Sequence, residues 1–74
     1  MKNLQLTAIF TREDDGYVAL CPEIDVASQG DSIDEARQNL REAVELFFES
    51  ASESEIDQRL GPDRRVETLE VKVA

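Results

Sequence analysis

The sequence predicts an α+β domain in which an antiparallel or mixed β-sheet is covered by one long helix, in the order β-β-β-α-β. Three observations support this prediction. Apolar and polar residues alternate near both ends of the chain, an apolar stripe with helical spacing occupies the middle, and turn-forming residues separate these segments. The chain has 74 residues, which suits a single domain over residues 1–74 with a thin core. We therefore expect self-association as a homodimer or a higher homo-oligomer.

Two strands joined by a hairpin are predicted near the N-terminus. Residues Lys2 to Arg12 place alternate side chains on one apolar face: Leu4, Leu6, Ala8 and Phe10. We expect Gly16 to supply a positive φ in a loop longer than two residues. A second strand runs from Tyr17 to Cys21 and ends at Pro22. Both of its faces are apolar, which predicts cover by a second subunit or a protein partner, or else a bulky strand in a monomer.

A short third strand and a well-marked helix follow the hairpin. The strand is predicted from Asp25 to Gln29, and Gly30 lets the backbone turn into the helix. Ser32 and Glu35 have the spacing of a capping box, in which each side chain bonds the other residue's backbone N–H. The core face of the helix is predicted to contain Ile33, Ala36, Leu40, Ala43, Val44, Phe47 and Ala51.

The C-terminal third is predicted to complete the sheet. Ser50 to Asp63 mixes serine, acids, glycine and proline, which predicts the helix end, one further turn through Glu55 to Leu60, and a linker. Val66 to Ala74 alternates again and places three apolar side chains on one face: Leu69, Val71 and Val73. This alternation predicts a last strand.

Charge and composition argue against several classes of function. The net charge of −9, from 17 acidic and 8 basic residues, disfavours direct binding of nucleic acid. The chain has no signal-peptide pattern and no apolar run of transmembrane length, so we expect a cytoplasmic protein that does not bind membranes. A lone Cys21 and the absence of histidine leave no activated nucleophile and almost no zinc ligands. We expect no enzymatic activity, cofactor, metal or small-molecule substrate.

One side of the predicted helix carries a row of acids. This side, opposite the apolar stripe, contains Asp34, Glu35, Glu42, Glu45 and Glu49. Glu45 and Glu49 form a like-charge pair in the half of the helix where the macrodipole disfavours anions, at about 0.3–1 kcal/mol per charge. The row either keeps a small protein soluble or complements a basic protein partner. The candidate partner-binding residues are Tyr17, Glu23, Asp25, Glu42, Glu45 and Glu49.

Three blocks in order resemble one known family. The blocks are Gly16-Tyr17-Val18-Ala19-Leu20-Cys21-Pro22-Glu23-Ile24, Ser28-Gln29-Gly30-Asp31-Ser32-Ile33-Asp34-Glu35-Ala36 and Asn39-Leu40-Arg41-Glu42-Ala43. Together they are similar to the N-terminal domain of HicB-type antitoxins, over about residues 3 to 50 and the predicted last strand. The resemblance implies a partial, degraded RNase H-like fold in a prokaryotic toxin–antitoxin system. It also implies a partner, the small basic toxin HicA, which is an mRNA-cleaving ribonuclease with a double-stranded-RNA-binding type of fold.

The sequence departs from many HicB-type antitoxins after the predicted last strand. Those proteins continue into a ribbon-helix-helix or helix-turn-helix segment that binds the operator, and we expect no such C-terminal DNA-binding domain here. Two functions stay open. The chain is either an antitoxin that neutralises a HicA-type toxin by protein–protein contact, or an orphan oligomeric regulatory or scaffold protein with no cognate toxin. A residual metal-dependent nuclease is disfavoured, because the predicted first strand contains no acid from Lys2 to Thr11.

Overall fold

The chain folds as a three-stranded antiparallel sheet with two helices. The computed structural model describes residues 4–61, 65 and 67–74. Its elements are β1 (Ile9–Glu13), β2 (Gly16–Cys21), β3 (Val26–Gly30), α1 (Ile33–Ser50) and α2 (Glu53–Leu60). The strands lie in the order β1-β2-β3, and both pairs are antiparallel. The predicted α+β class is confirmed.

The predicted strands at the two ends of the chain are longer than the observed ones. Strand β1 begins at Ile9, and residues 4–8 before it belong to no strand. At the other end Val66 lies outside the described residues, while residues 67–74 are in neither strand nor helix. The predicted order β-β-β-α-β is therefore wrong for the described part of this segment, whereas the further helical turn predicted through Glu55 to Leu60 is confirmed as the longer helix α2. Alternating apolar and polar residues show that a segment can place one face on an apolar surface. They do not determine whether another strand lies alongside to form hydrogen bonds with its backbone.

The hairpin between β1 and β2 is tighter than predicted. Glu13 pairs with Gly16, so the loop is only two residues long. Asp14 adopts the positive φ of 50°, which a short polar side chain tolerates, and Gly16 does not have a positive φ. A Cβ at Gly16 would lie 2.8 Å from the carbonyl oxygen of Gly30. Glycine is therefore needed here for close approach to the neighbouring strand.

Helix α1 begins where the sequence predicts. The Ser32 hydroxyl accepts a hydrogen bond from the backbone N–H of Glu35 at 3.1 Å, as a capping box requires. The Glu35 carboxylate accepts its return bond from the N–H of Asp31 at 3.0 Å, and not from Ser32 as predicted. Helix α2 starts with the same kind of cap, in which the Ser52 hydroxyl accepts from the N–H of Glu55 at 3.1 Å. At each helix start the serine hydroxyl therefore satisfies one of the four backbone N–H groups that have no partner within the helix.

The core lies between α1 and the sheet. Its buried side chains are Ala19, Cys21, Ile24, Ala36 and Leu40. Helix α1 packs mainly against β3, less extensively against β2, and makes little contact with β1. The predicted apolar stripe is confirmed as the packed face of the helix, although its first residue, Ile33, is 39% exposed. Because the helix is displaced towards β3, the chain that precedes β1 is left uncovered on its helix-facing side.

Candidate interaction surfaces

The outward side of α1 carries the acidic row predicted from the sequence. All five of its residues are exposed: Asp34, Glu35, Glu42, Glu45 and Glu49. Asp34 lies 2.7 Å from the Arg37 guanidinium, and Glu35 caps the helix start. The last turn of α1 contains no basic residue. Glu45 and Glu49 thus lie near the negative end of the helix macrodipole without a cation from that turn.

Two arginine side chains pack onto aromatic rings of the fold, and one of them, Arg37, also pairs with Asp34 of the acidic row. The Arg37 guanidinium lies 5.3 Å from the centre of the Phe10 ring. The Arg59 guanidinium lies 5.1 Å from the centre of the Phe47 ring and donates a hydrogen bond to the Ile24 carbonyl. These two cations therefore support the fold, and the acidic row of α1 faces solvent.

A groove of about 1000 Å³ separates residues 4–8 from α1. Its apolar lining consists of Leu4, Leu6, Ala8, Cys21, Leu40, Val44 and Phe48. Its polar lining includes Arg37, Arg41, Glu45 and Glu49 from α1 and Thr7 from the opposite wall. The groove follows from the position of α1 over β3 and β2, which leaves space beside β1. Glu45 and Glu49 are the candidate partner-binding residues that line it.

The remaining candidate residues lie in other places. Tyr17 is half-buried and lines a polar cavity of about 590 Å³ near the β1–β2 hairpin. Glu42 is exposed on α1 and accepts a hydrogen bond from the Gln38 amide at 3.4 Å. Asp25 is exposed in the turn between β2 and β3 and has a positive φ of 55°. The structure brings Glu45 and Glu49 to one groove and does not bring Tyr17 or Asp25 to it.

Glu23 joins the β2–β3 turn to the segment before β1. Each of its carboxylate oxygens lies 3.0 Å from the backbone nitrogen of Thr7, and the carboxylate also accepts from the Thr7 hydroxyl. Cys21 donates its thiol hydrogen to the same carboxylate at 3.4 Å. These bonds hold one wall of the groove in place. No local sequence pattern indicates them, because Thr7 and Glu23 are 16 residues apart.

The pKa values of the half-buried Glu23 and the buried Cys21 reflect this arrangement. Burial acts to raise the pKa of Glu23, but the hydrogen bonds from Thr7 outweigh it, so the pKa is lowered from its ordinary value of 4.5. Burial raises the pKa of the Cys21 thiol, and the hydrogen bond to Glu23 and the negative charge of Glu23 raise it further. Cys21, which is 1% exposed, is therefore a neutral hydrogen-bond donor in the core.

Glu23→Gln is expected to lower the free energy of unfolding at pH 7 by about 1–3 kcal/mol, because a charged acceptor is replaced by a neutral one. A lowered folded-state pKa gives stability that is present above the unfolded value of about 4.5 and is lost as pH falls through the folded value. Urea unfolding of the wild type and the variant at pH 7 and pH 3 measures this effect. The difference in free energy of unfolding between the wild type and Glu23→Gln should shrink at pH 3. Glu42→Gln, which makes the same change at an exposed position, is the control. An equal difference at both pH values would contradict the assignment.

One relative establishes the family, and a second is similar. The UPF0150 protein ssl0738 of Synechocystis sp. (strain ATCC 27184 / PCC 6803 / Kazusa) is 49% identical over 51 residues, which cover 66% of this chain and 71% of the relative. The chain belongs to the UPF0150 family. A second UPF0150 protein of the same organism, ssr1765, is 48% identical over 46 residues, which cover 60% of this chain and 58% of that relative. No protein-family model matches the chain, and no solved structure is significantly similar.

Two further features of the UPF0150 chain concern membranes and metals. Among the residues that the structure describes, no helix is long and apolar enough to cross a bilayer. Within the same residues, no three His, Cys, Asp or Glu side chains are grouped so that they could hold a metal ion. The family name states no activity.

Proposed function

We propose that this UPF0150 chain is a HicB-like antitoxin of a type II toxin–antitoxin system. In the cytoplasm it would bind a small basic HicA-type mRNA-cleaving toxin and neutralise it by protein–protein contact. The observation that carries the proposal is the exposed acidic row of α1, in particular Glu42, Glu45 and Glu49. The three antiparallel strands followed by a long helix support the HicB-like, partial RNase H-like fold that the sequence resemblance implies.

The electrostatics of α1 favour a basic partner over solvent exposure alone. Glu45 and Glu49 repel one another at i,i+4 spacing, and the helix C-terminus adds about 0.3–1 kcal/mol of cost for Glu49, which lies in the last turn. Within α1, no cation of the last turn relieves this cost. A basic surface placed across the helix would relieve it, and complementary charge would also raise the rate of association.

The same complementarity gives a mechanism of neutralisation without catalysis. A ribonuclease must hold its RNA substrate with a positively charged surface, because most of the attraction to RNA comes from the phosphates. An acidic helix face that binds this surface competes directly with RNA. The toxin is then inhibited by occlusion, and the antitoxin needs no reactive side chain. Because such contacts are screened by salt, the affinity should fall as ionic strength rises.

Reversing two charges of the acidic row tests the proposal. Glu45→Lys with Glu49→Lys is expected to weaken binding to the basic toxin encoded beside this gene by about tenfold to a hundredfold, or about 1.4–2.8 kcal/mol. The matched control is Glu53→Lys with Asp57→Lys, an exposed i,i+4 acidic pair on α2 that changes the net charge equally. Titration calorimetry with the purified proteins measures the affinities, and circular dichroism confirms that both variants fold.

The possible outcomes separate three explanations. A loss confined to the α1 variant supports a specific contact, whereas an equal loss in both variants indicates only non-specific attraction. Unchanged affinity in both would mean that the row serves solubility. If the chain bound no neighbouring basic protein and failed to restore growth to cells that express such a toxin, the antitoxin proposal would be abandoned. A stable homo-oligomer in that case would favour the orphan scaffold protein.

A further inference from the structure

The first observation is an open edge of the sheet beside an apolar groove. Strand β1 lies at the edge of the sheet, and no residue in the described part of the chain pairs with its outer side. The groove between residues 4–8 and α1 adjoins the start of this strand. Its wall presents Leu4, Leu6 and Ala8 at every second position. An edge strand with such a groove is a ready template for one more strand.

The second observation is an exposed segment with the matching pattern. Leu69, Val71 and Val73 are 84%, 68% and 87% exposed, although all three are apolar. They alternate with Thr68, Glu70 and Lys72, so an extended conformation would place them on a single face. In a strand these three side chains span roughly 13 Å, and the three apolar residues of the groove wall have the same spacing and the same span.

We propose that residues 67–74 of a second copy of this chain dock beside residues 4–10 as an additional strand, with Leu69, Val71 and Val73 in the groove. Within one copy the segment lies exposed and its own groove is open, so both complementary features are available to a second copy. Reciprocal docking fills both grooves and gives a closed, two-fold symmetric dimer. Main-chain hydrogen bonds to β1 supply affinity, and the alternating side chains supply register.

The apolar side chains in the groove lining favour this occupant. Its lining is mainly aliphatic and aromatic, and the matching segment carries apolar residues on one face and mixed charges on the other. A thin core also gains from the exchange, because only five buried side chains are described in one copy. The inference does not depend on the proposed antitoxin function, since its test contains no toxin.

Paramagnetic broadening between copies tests the docking directly. A spin label is attached to Lys72→Cys, which lies on the polar face and leaves the groove residues unchanged. The labelled full-length chain at natural isotope abundance is refolded from urea with an equal amount of ¹⁵N-enriched wild type. The wild type treated with the same reagent checks that the buried Cys21 is not labelled. We expect the amides of residues 4–10 in the ¹⁵N copy to broaden. In a second sample, the ¹⁵N-enriched chain itself carries the spin label and is diluted with unlabelled wild type, which reports docking within one copy. Broadening only in this second sample, or in neither sample, would overturn the proposal.

The oligomeric state gives a second, independent readout. Val71→Asp places one negative charge on the face that enters the groove, and Lys72→Asp, which lowers the net charge by two, is the stricter control on the polar face. Sedimentation velocity should show a dimer for the wild type and for Lys72→Asp, and at least tenfold weaker dimerisation for Val71→Asp. A monomeric wild type, or equal dimerisation by the two variants, would contradict strand exchange.

Discussion

Gly30→Ala is expected to lower the free energy of unfolding by about 3 kcal/mol or more, although it adds only one methyl group. A Cβ at Gly30 would lie 2.5 Å from the backbone nitrogen of Ala36 and 2.8 Å from the carbonyl carbon of Glu35. Both atoms belong to the backbone of the first turns of α1, so no side-chain rotation can relieve the overlap. Either the helix moves away from β3 or the strand bends.

This expected loss is large compared with the total free energy of unfolding of a small domain. A domain of this length has a free energy of unfolding of about 4–11 kcal/mol, so a loss of about 3 kcal/mol leaves a substantial unfolded population in the weaker cases. Urea unfolding measures the change. Ala27→Val, which adds atoms on an exposed position of the same strand, should alter stability by less than about 0.5 kcal/mol. Equal stability of Gly30→Ala and the wild type would show that α1 does not contact β3 this closely.

Ile24→Ala is expected to be the most damaging truncation of a side chain, with a loss of about 2–5 kcal/mol and a decrease in Tm of about 10 °C or more. Ile24 is 1% exposed and is the largest of the almost completely buried side chains, ahead of Cys21 and the two buried alanines, Ala19 and Ala36. It lies in the turn between β2 and β3, and its carbonyl accepts a hydrogen bond from Arg59 of α2. The cavity would therefore form where the turn, the sheet and α2 meet.

Thermal unfolding followed by circular dichroism measures the effect of Ile24→Ala. Leu46→Ala is the matched control, because Leu46 is a similar aliphatic side chain that is 61% exposed on α1. Its truncation should change Tm by only a few degrees. Similar losses for the two variants would mean that burial of Ile24 does not dominate the packing of this turn.

Local patterns in the sequence predict the parts of this fold that depend on near neighbours. The Ser32 cap and the burial of Ala36 and Leu40 follow from a helix N-terminal motif and from helical spacing. The exposed acidic row follows from the same periodicity. For these features the deciding interactions lie within about four residues along the chain, which is the range over which sequence patterns are informative.

Features that depend on distant contacts could not be predicted in this way. Ile24 lies in a turn where no periodicity indicates burial, and the bonds from Thr7 to Glu23 join segments 16 residues apart. The requirement for glycine at position 16 arises from the nearby carbonyl oxygen of Gly30, which belongs to a different strand. The groove arises because α1 lies over β3 and β2, and the relative placement of packed elements is not encoded in the pattern of any single element.

The close contact between Ala36 and Gly30 fixes the rotation of α1 about its own axis. Ala36 is completely buried, while Glu42, Glu45 and Glu49 are exposed. Substitution of these glutamates should therefore leave the orientation of the helix unchanged. A single scaffold can thus display different sets of charges along the same line, and members of a family could recognise different ligands without altering their interiors.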